Sequence, residues 1–164
     1  MPTVRLIPPP LMGEVENIIN GFHRRFSRGP TNMWMSDPSQ DMPQEVTLTW
    51  EEPQLLDQVC LTYDNLTAFR HDQPWENGTR VLPFLVKAYT VEIWRDGEWD
   101  ELIREHDNFH RFRCHGFNPV CTKKLRLRIL STHGEGVSAR VYQIQVRTPL
   151  KDQSVETKDI RQCN

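Results

Sequence analysis

The stretch KAYTVEIWRDGEWDELI, from Lys87 to Ile103, decides the fold class. Two runs of strand character, KAYTVEIW and EWDELI, flank Arg95-Asp96-Gly97. The Asp-Gly pair supplies the positive φ that a tight hairpin connection requires. Trp94 and Trp99 fall near the hairpin's closed end, where cross-strand aromatic packing can hold the register. An antiparallel hairpin is the first element of the reading.

The same period of two recurs on both sides of it. In Glu45 to Pro53, EVTLTWEEP, the residues Val46, Leu48 and Trp50 alternate with Thr47, Thr49 and Glu51. DQVCLTYD sets Val59, Leu61 and Tyr63 against Cys60 and Thr62. RFRCHGF reads as a strand. LRLRILST alternates Leu125, Leu127 and Ile129 with Arg126 and Arg128, and ARVYQIQVR continues the pattern through Val141, Gln143 and Gln145. Only GEVENIING has helical spacing, and it is too short to carry a fold. Seven or eight short strands with two long loops, Asn20 to Pro43 and Asp64 to Pro83, predict an all-β chain folded as an antiparallel β-sandwich. Long loops kept by a compact domain are usually functional.

Bulk composition agrees. A chain of 164 residues suits one domain, and 12 Pro against 8 Gly implies fixed turns. A formal charge of -2 supplies no global field for nucleic acid or an anionic membrane, so neither is expected as a partner. No apolar run approaches the roughly 20 residues of a membrane span, and the N-terminus lacks a signal-type apolar segment. The expectation is a soluble chain without signal peptide or transmembrane segment, its compartment open. Asn65-Leu-Thr67 and Asn77-Gly-Thr79 are formal glycosylation acceptors, meaningful only in a secreted eukaryotic chain. Cys60, Cys114, Cys121 and Cys163 lack the short-spaced pairs of a zinc site. Cys114 and Cys121 flank an HGFNPV turn and could approach across it, but reduced thiols are expected, because a domain this large needs no staple.

The order of motifs resembles a known family. INGFHRRFSRGPTNMWMSDP, PQEVTLTWEEPQLLDQVCLTYD, LPFLVKAYTVEI and KKLRLRILSTHGEGVSARVYQIQV follow one another as in the discoidin, or coagulation-factor type C, domains of the galactose-binding-like superfamily. The resemblance spans residues 13–148, leaving 1–12 as an N-terminal extension and 149–164 as a polar tail. It implies a jelly-roll sandwich with ligand-binding loops at one rim and Trp34 packed as a core plug. Phe22 and Phe26 are then expected to anchor the first loop. SARVYQIQV and LPFLVKAY are also similar to a discoidin-like domain at the C-terminal end of bacterial flavin-dependent oxidoreductases. No dinucleotide-binding G-x-G-x-x-G follows a strand, so flavin chemistry would lie elsewhere.

The rim implied by the resemblance gathers polar and aromatic candidates. They are His23, Arg24 and Arg25 in the first loop; Asp64, His71, Trp75, Asn77 and Arg80 in the second; His106, Asn108 and His110 in the third; and Arg140, with His133 and Glu135, in the last. Sugars offer apolar C–H faces and a fringe of hydroxyls, which an aromatic platform ringed by Asn, His, Arg and Asp matches. Trp75, in HDQPWENGT, either stands as that platform or folds back as a lid. Arg24 or Arg25 either meets ligand or pins the loop to Asp37 or Asp64. Relatives hold a structural calcium with first-loop carbonyls and a last-strand carboxylate. Here Gln143 takes that carboxylate's place, and an amide weakens a hard-cation site. No cofactor is expected; Asn20 and Gln143 would neighbour calcium if it bound.

No catalytic constellation emerges. Cys114 and His115 are adjacent on a strand and point to opposite faces. His106-x-x-x-His110 lacks a helix and a third ligand, and no carboxylate pair is placed for glycoside hydrolysis. The expected function is a noncatalytic binding module with carbohydrate as ligand. The alternative is a domain that docks on a neighbouring, flavin-containing part of its own chain.

Overall fold

The computed structural model describes residues 1–7, 15–23, 32–65 and 81–148. Among these, seven strands form: β1 (Thr3–Ile7), β2 (Trp34–Met35), β3 (Gln44–Tyr63), β4 (Val86–Arg95), β5 (Glu98–Glu105), β6 (Phe112–Thr132) and β7 (Arg140–Arg147). Every pairing is antiparallel. The helical spacing of GEVENIING becomes one 3-10 turn, Val15–Ile19.

The β4–β5 hairpin forms as its Asp-Gly pair dictates. Asp96 and Gly97 take φ of 52° and 91°, the left-handed values of a two-residue hairpin turn. Trp94 and Trp99 stand opposite each other in register, ring centroids 5.2 Å apart and edge to face.

The longest strands depart from expectation. The segments 45–53 and 57–64 belong to one 20-residue strand, β3, and RFRCHGF joins LRLRILST in the 21-residue β6. HGFNPV is therefore no turn. It is a bulged part of β6 in which Phe117, Asn118 and Pro119 face Asp57 alone. Pro119 has no N–H for the ladder, which favours a break in pairing there. A second irregularity lies between Thr49 and Gln54 of β3. Such interruptions bend strands, and here they fold the β3–β6 pair over on itself.

That bend creates the sandwich. One layer holds β1, the first part of β3, the second part of β6, β4 and β5. The other holds β2, β7 and the remaining parts of β3 and β6. A continuous hydrogen-bonded path, β2-β7-β3-β6-β4-β5 with β1 on β3, runs through both. The core lies between them. Val46, Leu48, Leu125, Leu127 and Ile129 come from one layer and Val59, Leu61, Tyr63 and Ile144 from the other, with Trp34 fully buried among them. Tyr89 Oη meets His115 Nε2 at 2.7 Å, tying β4 to the far part of β6 across the interior.

Residues 3–7, within the segment expected as an N-terminal extension, pair with β3 as a sheet strand. Two expectations are corrected. Cys60 and Cys114 are not reduced thiols. They face each other in register on β3 and β6 and form a disulfide, and Cys121 is disulfide-bonded as well. Register decides this, because two cysteines at directly opposed positions already have their Cβ atoms within bridging range. Phe22 does not tuck under the loop as an anchor; its side chain is 54% exposed. Phe26 lies outside the described residues.

The outer face of the β1-containing layer is a charge lattice. Arg126 bonds Glu92 and lies 3.2 Å from Glu45; Arg128 lies 2.9 Å from Glu45; and the Arg126 guanidinium covers the Trp99 ring at 4.1 Å. Burial alone would raise the Glu92 carboxyl, but Arg126, Thr90 and Arg128 outweigh it and hold it below its usual range. Among the described residues no helix is long and apolar enough to cross a membrane.

Candidate functional site

Among the described residues, four connections leave and rejoin the strands at the same end of the sandwich: 36–43, 64–85 (described at 64–65 and 81–85), 106–111 and 133–139. The first and last run side by side. Ser36 N donates to Ala139 O at 3.0 Å, and Ala139 N donates to Ser36 Oγ at 2.8 Å. Gly134 N donates to Pro83 O at 2.8 Å, and a Cβ at Gly134 would fall 2.5 Å from the Pro83 Cβ. Only glycine permits that approach between the second and last connections.

The structure divides the candidate residues. Asp64 and Arg140 form an ion pair at 3.3 Å, with Asp64 buried and the Arg140 guanidinium 3.9 Å from the centre of the Phe84 ring. This pair joins the second connection to β7. Asn108 is buried as well: its Nδ2 donates to Val86 O and His110 O, while its Oδ1 accepts from His110 N. His133 Nε2 lies 2.8 Å from Asn108 O, with the exposed Phe109 ring stacked beside the His133 ring at 4.9 Å. His106 and His110 are exposed on the same connection. His23 presents its backbone oxygen to the Arg111 guanidinium. Arg24, Arg25, His71, Trp75, Asn77 and Arg80 lie outside the described residues.

The first and last connections enclose a pocket of about 260 Å³ that sequence reasoning missed. Gln40, Asp41, Met42, Thr132, Gly134 and Glu135 line it, as does Gln44. Gln44 is fully buried. Its Nε2 donates to Asp37 O at 2.8 Å and to Gln40 O at 3.1 Å, leaving Oε1 without a partner. Nothing in the period-two pattern distinguishes Gln44 from a surface strand residue. The Pro43-Gln44 start of β3 was visible only as part of the family resemblance. Asp37 shapes the wall: Ser39 hydroxyl and amide, then Gln40, bond its carboxylate and hold it below its usual range.

A larger hollow of about 710 Å³ opens at the opposite end, beside the β3–β6 bulge, between Asp57, Phe117, Asn118 and Arg147. Its polar lining residues are all partly or fully exposed. The smaller pocket is the better candidate because a buried acceptor without a partner is costly and therefore informative.

Asn20 and Gln143 would be the neighbours of the calcium that the resemblance implies. Asn20 Nδ2 bonds Asn32 and Asn17 and its Oδ1 accepts from Phe22 N. Gln143 is buried with Oε1 lacking a partner. The pair offers neutral oxygens and no carboxylate, and carboxylate count tunes calcium affinity. Among the described residues no group of three or more His, Cys, Asp or Glu side chains is placed to hold a metal.

No protein-family model matches the chain. No curated protein matches it either. Solved structures do. The chain superposes on SpGH29 with a TM-score of 0.65 at 19% identity, covering 91% of this chain and only 27% of that one, so it spans about a quarter of that protein. It matches a GH31 CBM32-2 module bound to GalNAc with a TM-score of 0.66 at 14% identity, covering 91% of this chain and 99% of that one. The family 32 carbohydrate-binding module of C. perfringens NanJ, in complex with galactose, matches with a TM-score of 0.63 at 13% identity, covering 88% and 92%. At such identities the likeness shows the fold alone, the antiparallel β-sandwich that those modules share.

Proposed function

We propose that this chain is a noncatalytic carbohydrate-binding module that takes a sugar at the loop-bearing rim. One observation carries the reading: the 260 Å³ pocket between connections 36–43 and 133–139, lined in part by Gln44, whose buried Oε1 has no partner. A sugar hydroxyl is a donor of the size that such an acceptor can engage. The pocket suits a single ring, and the exposed Phe109 ring, packed against the half-buried His133, belongs to the same loop-bearing end. Solved modules of this fold described with galactose and GalNAc support the reading. His71, Trp75, Asn77 and Arg80 of the second loop, Arg24 and Arg25 of the first, and His106 and His110 of the third are proposed as further contacts around that ring. Asp64, Asn108 and Arg140 are proposed to hold the rim in shape, because their polar atoms already bond protein.

Docking on a flavin-containing part of the same chain has less support. It calls for an apolar sheet face, whereas the outer face of the β1 layer carries the Glu45–Glu92–Arg126–Arg128 lattice. On the other layer Cys60, Thr62 and Gln143 are already buried within the single chain.

Affinity gels and calorimetry with neutral polysaccharides and their monosaccharides test the reading. Binding is expected, lost in Asp41→Arg, whose long cationic side chain fills the pocket. It is expected to weaken about fivefold in Trp75→Ala, the worth of one stacked ring. Absence of binding to every sugar tried, or binding untouched by Asp41→Arg, overturns it.

A further inference from the structure

We infer that the rim pocket selects hexosamines with a free, protonated amine over their N-acetylated, neutral and carboxylated counterparts. This deepens the carbohydrate reading and rests on it.

The first ground is the fixed direction of the Gln44 amide. Rotating it by half a turn would set Oε1 against the carbonyl oxygens of Asp37 and Gln40, which now accept from Nε2. Those two bonds lock the orientation, so the atom left over is an acceptor. It is buried, without a partner, and belongs to a residue that lines the pocket. A ligand reaching it must bring a donor.

The second ground is charge. Asp41 and Glu135 both line the pocket, one from each connection, and both are exposed. Neither makes an ion pair or hydrogen bond with another described residue. No Lys, Arg or His is among the lining residues. Among the described lining residues no cation offsets these two carboxylates, and a concave, partly desolvated site strengthens the negative potential they contribute.

The third ground is what the remaining polar groups do. Thr132 Oγ1 already donates to Gly134 O at 2.6 Å, and Gly134 N already donates to Pro83 O. These two potential donors are turned to protein, so of the lining's charged groups what faces a ligand is the pair of acceptors Asp41 and Glu135. An ammonium group has three N–H donors and no acceptor. An acetamido group keeps one N–H and carries no charge for Asp41 and Glu135 to hold. A uronic carboxylate brings acceptors alone, plus a charge of the sign that Asp41 and Glu135 repel.

Calorimetric titration of the whole chain with glucosamine, galactosamine, GalNAc, galactose and galacturonate tests the inference at about pH 6, where the sugar amine is protonated. The amines are expected to bind about fivefold more tightly than galactose or GalNAc, the worth of two exposed charge pairs. That advantage should shrink with added salt and at a pH above the amine's own pKa. In the double variant Asp41→Asn/Glu135→Gln, placed on exposed connection residues and checked for an unchanged unfolding midpoint, the ratio of amine affinity to galactose affinity should fall to about one. Neutral sugars binding as well as the amines, or an amine preference that survives in the double variant, overturns the inference and leaves the carbohydrate reading intact. No binding of any of the five sugars overturns both.

Discussion

His115 shows how one residue's surroundings set a pH response. Its Nε2 meets Tyr89 Oη, and the Arg113 guanidinium, itself bonded to Glu105, shares the same interior space. Burial pushes the imidazole below its ordinary pKa of 6.5 and Arg113 pushes it further, while Glu105 opposes both. A depressed histidine pKa means that the unfolded chain binds the proton more readily than the folded one. The stabilising contribution is therefore whole above about pH 6.5 and is lost as pH falls through the lower folded value. Urea midpoints followed from about pH 8 to about pH 5 should fall, and His115→Gln should flatten part of that slope. An identical slope in the variant would mean that other groups carry the acid sensitivity. The glutamine keeps a polar partner for Tyr89, so the comparison isolates the proton rather than the hydrogen bond.

At the scale of elements, β3 and β6 carry the fold. Together they supply both layers, and the Cys60–Cys114 bridge fastens them at a directly opposed pair. The bridge closes a sequence separation of 54 residues. In the chain-entropy model a loop of that length is worth about 4 kcal/mol, gained by restricting the unfolded chain. Cys60→Ala/Cys114→Ala is expected to lower unfolding stability by up to that amount, read by urea denaturation at constant m-value. A double variant as stable as its parent would show that the ladder alone fixes the pair. The sequence made the strand content legible through alternation, as in Leu125, Leu127 and Ile129, and made the β4–β5 turn legible through Asp96-Gly97. It did not show that HGFNPV continues a strand. Gly, Asn and Pro mark a bulge as readily as a turn, and only the partner strand, with Asp57 alone against three residues, distinguishes them. The bridge was hidden for the same reason: register is a long-range property that no local pattern contains.

For the whole molecule, the sandwich brings four distant connections to one end, and this separates what was readable of the site from what was not. The polar and aromatic loop residues were visible in the sequence, but Asp64, Asn108 and Arg140 hold protein atoms there. The pocket instead rests on Gln44, whose meaning depends on which carbonyls occupy its Nε2. The same reasoning bears on calcium, which in the resembled domains clamps the first loop to the last strand. Here the corresponding strand position brings the neutral Gln143 amide and Asn20 is bonded to Asn17 and Asn32. We predict that the body is held by its ladders and core, without calcium as a clamp. A cation bound only to the folded state adds about 2.7 kcal/mol at a hundred times its dissociation constant, roughly 5–10 °C in the unfolding midpoint of a chain this size. Thermal scans with a chelator and with excess calcium should therefore coincide. A saturable upward shift with calcium that disappears in Gln143→Leu would place the buried Oε1 in a cation's coordination shell and reverse the prediction, because an apolar side chain of similar size keeps the packing while removing the oxygen.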